Sequence, residues 1–340
     1  MRLTRRAFVA GAGAAVSTLA SPAAARPAAP NEPTPIEVRA TPIESFSVAE
    51  RDRRTFGALT FRSGLQLRSD FEGFGGFSGL WRPPGGEEIV ALADNTQWLT
   101  ARLVSGGRGL TGLANAVVAP VLGRDGKPLR RTRSYDTEGL TIAGGMAYVG
   151  IERTQEVMRF AWAKEGVSAR AQAVPVPPEA KRLPRNQGLE AIGMAPAKSP
   201  LAGALVVIAE QAGGGTGAPT RGFILSGPRQ GAFDVVRAGG FDVTDLAFLP
   251  SGEMLVLERR VSLLSGFGAR IRRMAADAIH PNATVDGPVI FEADSGHQID
   301  NMEGLSVHRH GTGETIVSMI SDDNFSTFQR TVLLEFALTG

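Results

Sequence analysis

Residues 300–324 read DNMEGLSVHRHGTGETIVSMISDDN. Two apolar, β-prone runs, Met302–Val307 and Thr315–Ile320, flank a turn at Gly311-Thr312-Gly313, with acids at both outer ends. Residues equidistant from the turn of an antiparallel hairpin face each other, so Glu303 and Asp322/Asp323 arrive at the same end of a sheet. The unit recurs. GGFSGLW (75–81), DTEGLTI (136–142), NQGLEAIGM (186–194) and DVTDLAFL (242–249) align with DNMEGLSV (300–307). With Ser78, Glu138, Glu190, Asp245 and Glu303 as equivalents, the intervals are 60, 52, 55 and 58 residues. Each first run is followed by Gly/Pro turn residues and a second run ending in an acid: Asp94, Glu152, Glu210, Glu258 and Asp322/Asp323.

Weaker strand-like runs fill the remaining length, for example Trp98–Val104 and Leu113–Leu122, or Ala269–Met274 and Pro288–Glu292. Short apolar runs such as Leu113–Leu122 are also compatible with helix. Four strands per unit of about 55 residues predict an all-β fold, a single β-propeller of four-stranded blades. Five repeats are visible, and a degenerate sixth within Ile36–Asp70 leaves five or six blades open. The last unit has only Arg330–Leu338 after its hairpin, so Phe56–Ser69 is expected to supply the missing outer strand and close the ring. The alternative, a two-sheet sandwich or separate small β domains, is disfavoured by the regular spacing.

The N-terminus carries a different signal. Thr4-Arg5-Arg6-Ala7-Phe8 matches the twin-arginine pattern, an Ala/Gly/Val run follows, and Ala23-Ala24-Ala25 offers a small-residue cleavage site. The expected organisation is a signal peptide at 1–25, a partly extended segment at 26–54 and the propeller at 55–340. The expected location is the periplasm or the exterior, with no stable membrane insertion after cleavage. Removing residues 1–25 deletes Arg2, Arg5 and Arg6 and no acid, so the formal charge falls from +2 to −1. A nucleic-acid partner is not indicated. With no cysteine, disulfide frameworks and thiolate sites are excluded.

FGGFSGL, DTEGLTI, RNQGLEAIGM, DVTDLAFLPSGEMLVLERR and DNMEGLSV…SDDNFS together resemble the phytase-like propeller family, also described as "esterase-like activity of phytase". The early FGALTFRSGLQL and the closing QRTVLLEFAL look like the ends of that family, so the resemblance runs from Thr55 to Leu338. It implies a β-propeller in an exported bacterial protein and hydrolysis of a phosphate or other ester.

Blade geometry brings Glu138, Glu152, Glu190, Glu210, Glu258, Glu303, Asp322 and Asp323 to one rim. Converging carboxylates raise one another's pKa or recruit a cation. A hard cation such as Ca²⁺ takes six to eight oxygen ligands, and Asn186, Asn301 and Asn324 lie nearby in the sequence. Two other uses stay open: acceptors for backbone N–H groups of the next blade, and direct acid–base chemistry. Basic residues accompany the acids. Arg130, Arg131 and Arg133 precede Glu138, Lys181, Arg182 and Arg185 precede Glu190, and Arg153, Arg259 and Arg260 follow second-strand acids. Arg133, Arg185, Arg153 and Arg259 are the candidates for binding a small anionic ester, because guanidinium matches phosphate bidentately. Pairing with the rim acids is the competing use.

Other chemistries lack their signatures. There is no GxSxG elbow around Ser78, which reads as a blade turn, and no HExxH or Walker lysine. His308 and His310 share a strand face but read as loop histidines. Ala212–Pro219, rich in glycine, reads as a rim loop. The function expected is an exported ester hydrolase, divalent-cation dependent; a non-catalytic envelope propeller binding a ligand or protein is the alternative.

Overall fold

The computed structural model describes residues 30–339 apart from 108, 216 and 263–265, and within them the chain is a five-bladed β-propeller. The export-signal reading falls on residues outside that description. Each repeat found in the sequence is the inner hairpin of one blade. The innermost strands are Phe77–Trp81, Thr137–Ala143, Leu189–Met194, Asp242–Phe248 and Asn301–Arg309. Each touches the next, and that of the fifth blade touches that of the first, so the ring is closed. The second strands are Glu88–Ala93, Met146–Ile151, Leu205–Ala209, Met254–Ser262 and Thr315–Asp322.

The weaker runs become outer strands. Gln97–Gly106 and Gly109–Pro120 complete the first blade, so the 113–122 run is strand rather than helix. Glu156–Phe160 and the short Gln172–Val174 complete the second, and Thr220–Ile224 and Gly231–Val235 the third. Gly266–Met274 and Val289–Ala293 complete the fourth.

The fifth blade closes as expected. Its third strand, Thr331–Leu338, pairs antiparallel with Leu59–Arg68 from the start of the chain, from Thr331 opposite Leu67 to Leu338 opposite Leu59. The residues considered for a sixth blade are therefore spent on existing sheets. Arg39–Ile43 adds a further strand outside Leu59–Arg68, and Thr34–Pro35 lies along the outer strand of the first blade. The N-terminal segment thus spans the outer edges of the two blades that meet at the closure.

Strand alternation supplies the cohesion. In Leu59–Arg68, buried Leu59, Phe61, Leu65 and Leu67 alternate with more exposed partners. Each sheet buries both faces against its neighbours, and five apolar clusters occupy the five gaps. The gap at the closure contains Phe77, Leu80 and Leu99 from the first blade with Ile320 and Leu333 from the fifth. A buried ion pair spans the same gap. Arg82 donates through Nη1 to Glu335 at 2.6 Å and to Ser318 Oγ at 2.8 Å, and its backbone N–H reaches Ser306 Oγ at 2.9 Å. Removing one partner of such a pair leaves an uncompensated buried charge, at a cost of about 3–5 kcal/mol.

Candidate functional site

Pairing between the two innermost strands gains one extra inner-strand residue in every blade. The register breaks across Phe77/Gly79, Leu189/Ala191, Val243/Asp245 and Met302/Gly304, and in the second blade across Val149/Ile151. A β-bulge frees one residue from the ladder and re-aims its side chain. The residues at these positions are Ser78, Glu138, Glu190, Thr244 and Glu303. A second tier, one pairing step beyond the bulge on the second strands, consists of Asp94, Glu152, Glu210, Arg259 and Asp322. Their equivalence is set by the backbone. The N–H groups of Asp94, Glu152 and Glu210 donate to Gly76, Asp136 and Gly188, while Arg259 and Asp322 pair with Asp242 and Asn301 at the same step.

Apart from Thr244, these two tiers line a cavity of about 630 Å³ to which all five blades contribute. Tyr135, Asp136, Arg153, Asn186 and Asn324 complete its lining. Asp94, Asp136, Glu138, Glu152, Glu210, Glu303 and Asp322 are each only 4–9 % exposed, so a set of carboxylates is removed from bulk water together.

On Glu138, Glu152, Glu190, Glu210 and Asp322, burial and mutual repulsion act in the same direction. Burial, then Glu303 and Asp136, hold Glu138 well above the usual carboxylate range. Glu190 keeps some surface open to the cavity, yet its depth, followed by Glu138 and Glu152, does the same to it. Burial, then Glu303 and Asp94, raise Asp322. Glu152 is pushed up to about 7, by burial and then Asp136, against the lowering effect of the Gly188 N–H at 3.2 Å and a hydrogen bond to Glu190. Burial also raises Glu210, with Arg259 opposing. Arg259 is the counter-charge: it pairs with Glu303, with Glu210 at 3.2 Å, and donates to Asn301 Oδ1 at 2.8 Å. Burial works against its own charge, but Glu303, Glu210 and Glu190 outweigh it and hold its pKa above the ordinary arginine value.

Among the described residues, Glu152, Glu190 and Glu210 form a group able to hold a metal ion, each offering one oxygen within 4.8 Å of the others. An independent polar atom faces the same space. Ser78 is 2 % exposed, lines the cavity, and its Oγ has no hydrogen-bond partner.

Of the residues named from the sequence, Glu138, Glu190, Glu303, Glu152, Glu210, Asp322, Arg153 and Arg259 line this cavity, and Glu258, Asp323, Arg133 and Arg185 do not. Strand parity separates Glu258 from the rest. It stands one residue before the second-tier position, pointing to the other sheet face, where Arg270 and Arg272 enclose it at 2.6 Å. Asp323 accepts from the backbone N–H groups of Gly76 and Phe325 and from Thr331 Oγ1, a blade-turn use. Arg133 and Arg185 are exposed on the loops entering the second and third blades. In the fourth blade, Thr244 rather than Asp245 is the bulge residue. Asp245, fully buried, accepts instead from Leu246 N–H at 2.8 Å and Leu305 N–H at 2.7 Å of the next blade.

Sequence reading left four lining residues out of the rim set, Asp94 among them, although it ends the second run of the first repeat. Tyr135 carries the Arg153 guanidinium 4.4 Å over its ring. Asp136 holds a left-handed backbone (φ 77°) at the mouth of the second blade. Ser78 sits on a strand bulge rather than in a turn. The D-T-E-G order was the available signal for Asp136. The four histidines lie outside the cavity lining: His308 and His310 stand at the opposite end of the fifth blade.

A family model described as phytase-like, esterase-like activity of phytase, matches residues 72–325. No curated protein matches the sequence. Among solved structures, the PQQ-bound aldose sugar dehydrogenase of Streptomyces coelicolor aligns at 10 % identity and a TM-score of 0.42, covering 91 % of this chain and 99 % of that one. A chain of the Saccharomyces cerevisiae Dbp5 complex with Nup159, Gle1, IP6 and ADP aligns at 10 % identity and a TM-score of 0.37, covering 85 % of this chain and 96 % of its own.

Proposed function

The chain belongs to the phytase-like family, and from the chemistry of its mouth we propose that it hydrolyses phosphate or related esters with the help of a divalent cation. The observation that carries this reading is the Glu152–Glu190–Glu210 group, three carboxyl oxygens within 4.8 Å of one another in a cavity lined largely by buried acids. The donor set fits a hard ion: it is all oxygen, and the unpartnered Ser78 hydroxyl together with Asn186 and Asn324 line the same space. Ca²⁺ is the first ion to test. When bound, such an ion supplies charge neutralisation and Lewis acidity toward an ester oxygen.

The chain's own groups divide the remaining work. Arg153, exposed at the rim and seated on Tyr135, receives the anionic group of a small ester. Burial and Asp136 hold Glu152 at about 7 while no ion is bound, so cation binding there is expected to release a proton. A ligand-binding propeller without turnover is the second reading, favoured by the absence of any histidine from the cavity lining among the described residues.

One experiment separates the readings. Chelator-treated protein is titrated with Ca²⁺, Mg²⁺ and Mn²⁺ by calorimetry and then assayed on a panel of aryl phosphates and carboxylic esters. We expect cation binding, cation-dependent turnover, and a loss of affinity of about tenfold or more in Glu190→Gln, since a ligand charge is removed. Binding without turnover on any ester assigns the ligand-binding function. Absence of cation binding overturns the metal site and leaves the acids as an electrostatic feature of the fold.

A further inference from the structure

The fourth blade breaks the pattern of the other four. At the second-tier position, where the others carry Asp94, Glu152, Glu210 and Asp322, it carries Arg259. Its bulge residue is Thr244, so this blade brings no carboxylate to either tier. The guanidinium reaches sideways to both neighbouring blades, to Glu210 of the third and to Glu303 and Asn301 of the fifth.

We propose that Arg259 is the resident cation of the mouth: it neutralises the sector of Glu303 and Asn301, confines an added divalent ion to the sector of Glu152, Glu190 and Glu210, and orients Glu210 for that ion. This rests on the cation site proposed above. The geometry supports it in three ways. First, Arg259 stands in the tier where an ion would otherwise find a fifth carboxylate, so this tier contains one permanent positive charge among four acids. Second, Glu210 belongs to both arrangements: it bonds Arg259 at 3.2 Å and contributes an oxygen to the three-carboxyl group. A guanidinium contact on one oxygen of a carboxylate restricts its rotation, here through Nη2 on Oε1. Third, Glu303 and Asn301 are held together, Asn301 Nδ2 donating to Glu303 Oε1 at 2.8 Å, so the oxygens that Arg259 covers are already gathered as a set. A guanidinium is not deprotonated in proteins, so this counter-charge is permanent. Arg259 is thus a positioning residue.

The test counts ions. Wild type, Arg259→Gln and Arg259→Lys are purified with Ca²⁺, stripped with chelator and titrated with Ca²⁺ by calorimetry, with native mass spectrometry giving the number bound. Wild type is expected to bind one ion. Arg259→Gln uncovers the Glu303 sector and is expected to bind one more than wild type, whereas Arg259→Lys, which keeps the charge, retains the wild-type number. An unchanged count in Arg259→Gln overturns the proposal. If Arg259→Gln does not fold, Glu303→Gln reads the same point: with one carboxylate fewer, Arg259 is left to Glu210 and competes harder with the ion. Ca²⁺ affinity is then expected to fall by about threefold or more, and an unchanged or higher affinity overturns the proposal. The two readings fail separately. If wild type binds no ion and Arg259→Gln binds one, the cation-dependent hydrolase is lost but Arg259 still stands as the resident cation. If neither binds, both are lost.

Discussion

Glu190 and Asp245 align by eye in the sequence, yet one lines the cavity and the other is buried as a backbone acceptor. Glu190 is the bulge residue of its blade, Asp245 is the residue after the bulge of its own, and in a strand one residue of offset reverses the face. Composition identifies which residues carry charge, but not which water they lose. His308 shows the same limit. It reads as a loop histidine, but it is 5 % exposed and neither ring nitrogen has a partner. Burial first, then Arg82, His310 and Arg62, lower its pKa to about 3. The folded state therefore binds fewer protons than the unfolded state between about pH 6.5 and 3. The associated stability is fully present above about pH 6.5 and is lost as the pH falls toward 3, at up to about 1.4 kcal/mol per pH unit. The raised acids at the mouth have the opposite slope, so the comparison must be made against a variant. In denaturant titrations at pH 7 and pH 5, His308→Gln is expected to lose about 1–2 kcal/mol less than wild type on acidification. Equal losses would show that His308 is not held neutral.

The inner strand is built around its bulge. The residue after the bulge is glycine in three blades, Gly79, Gly139 and Gly304, and a side chain at each would press on the neighbouring blade. A Cβ on Gly139 would lie 2.4 Å from the carbonyl oxygen of Glu190, and one on Gly79 would lie 2.7 Å from Leu140 Cβ. Backbone on the far side cannot rotate away. We expect Gly139→Ala to cost about 2–4 kcal/mol through overpacking and to shift Glu190 from its position. Gly112→Ala, where a Cβ meets nothing within 4 Å, should stay within about 0.5 kcal/mol of wild type. Chemical denaturation of the two variants checks the contrast, and equal stabilities would refute the inter-blade packing. The E-G-L spacing was legible as a repeat. Its physical meaning was not, because the atom that excludes a side chain at Gly139 belongs to a blade about 50 residues away.

At the scale of the molecule, stability depends on closing the ring between the first and fifth blades. The closing strand Leu59–Arg68 covers Thr331–Leu338, whose Leu333, Leu334 and Phe336 are fully buried. A chain beginning at residue 70 should expose that edge and aggregate. A chain beginning at residue 45 keeps the closing strand and Phe46, which packs on Phe56, Phe61, Phe291 and Phe336, and loses only Thr34–Pro35 and Arg39–Ile43. It should remain monomeric, with a Tm lower by about 2–8 °C. Gel filtration and calorimetry of the two truncations check this. A monomeric, cooperatively unfolding chain from residue 70 would contradict closure by the early strand.

The sequence by itself determined the propeller, its five inner hairpins, the early strand that closes it and the gathering of acids at one end. These follow from period-two alternation, glycine turns and hairpin symmetry, all of which act within a few tens of residues. Only the tertiary structure decided which acids face the axis. It turned Glu258 toward Arg270 and Arg272, gave Asp323 and Asp245 to backbone N–H groups, and put Arg259 in the tier of the carboxylates. It also decided that there are five blades rather than six, by assigning the early strands to the first and fifth sheets. The physical reason is the bulge together with the ring. A one-residue insertion reverses which face a side chain takes, and the desolvation and repulsion that perturb the mouth acids come from residues of other blades.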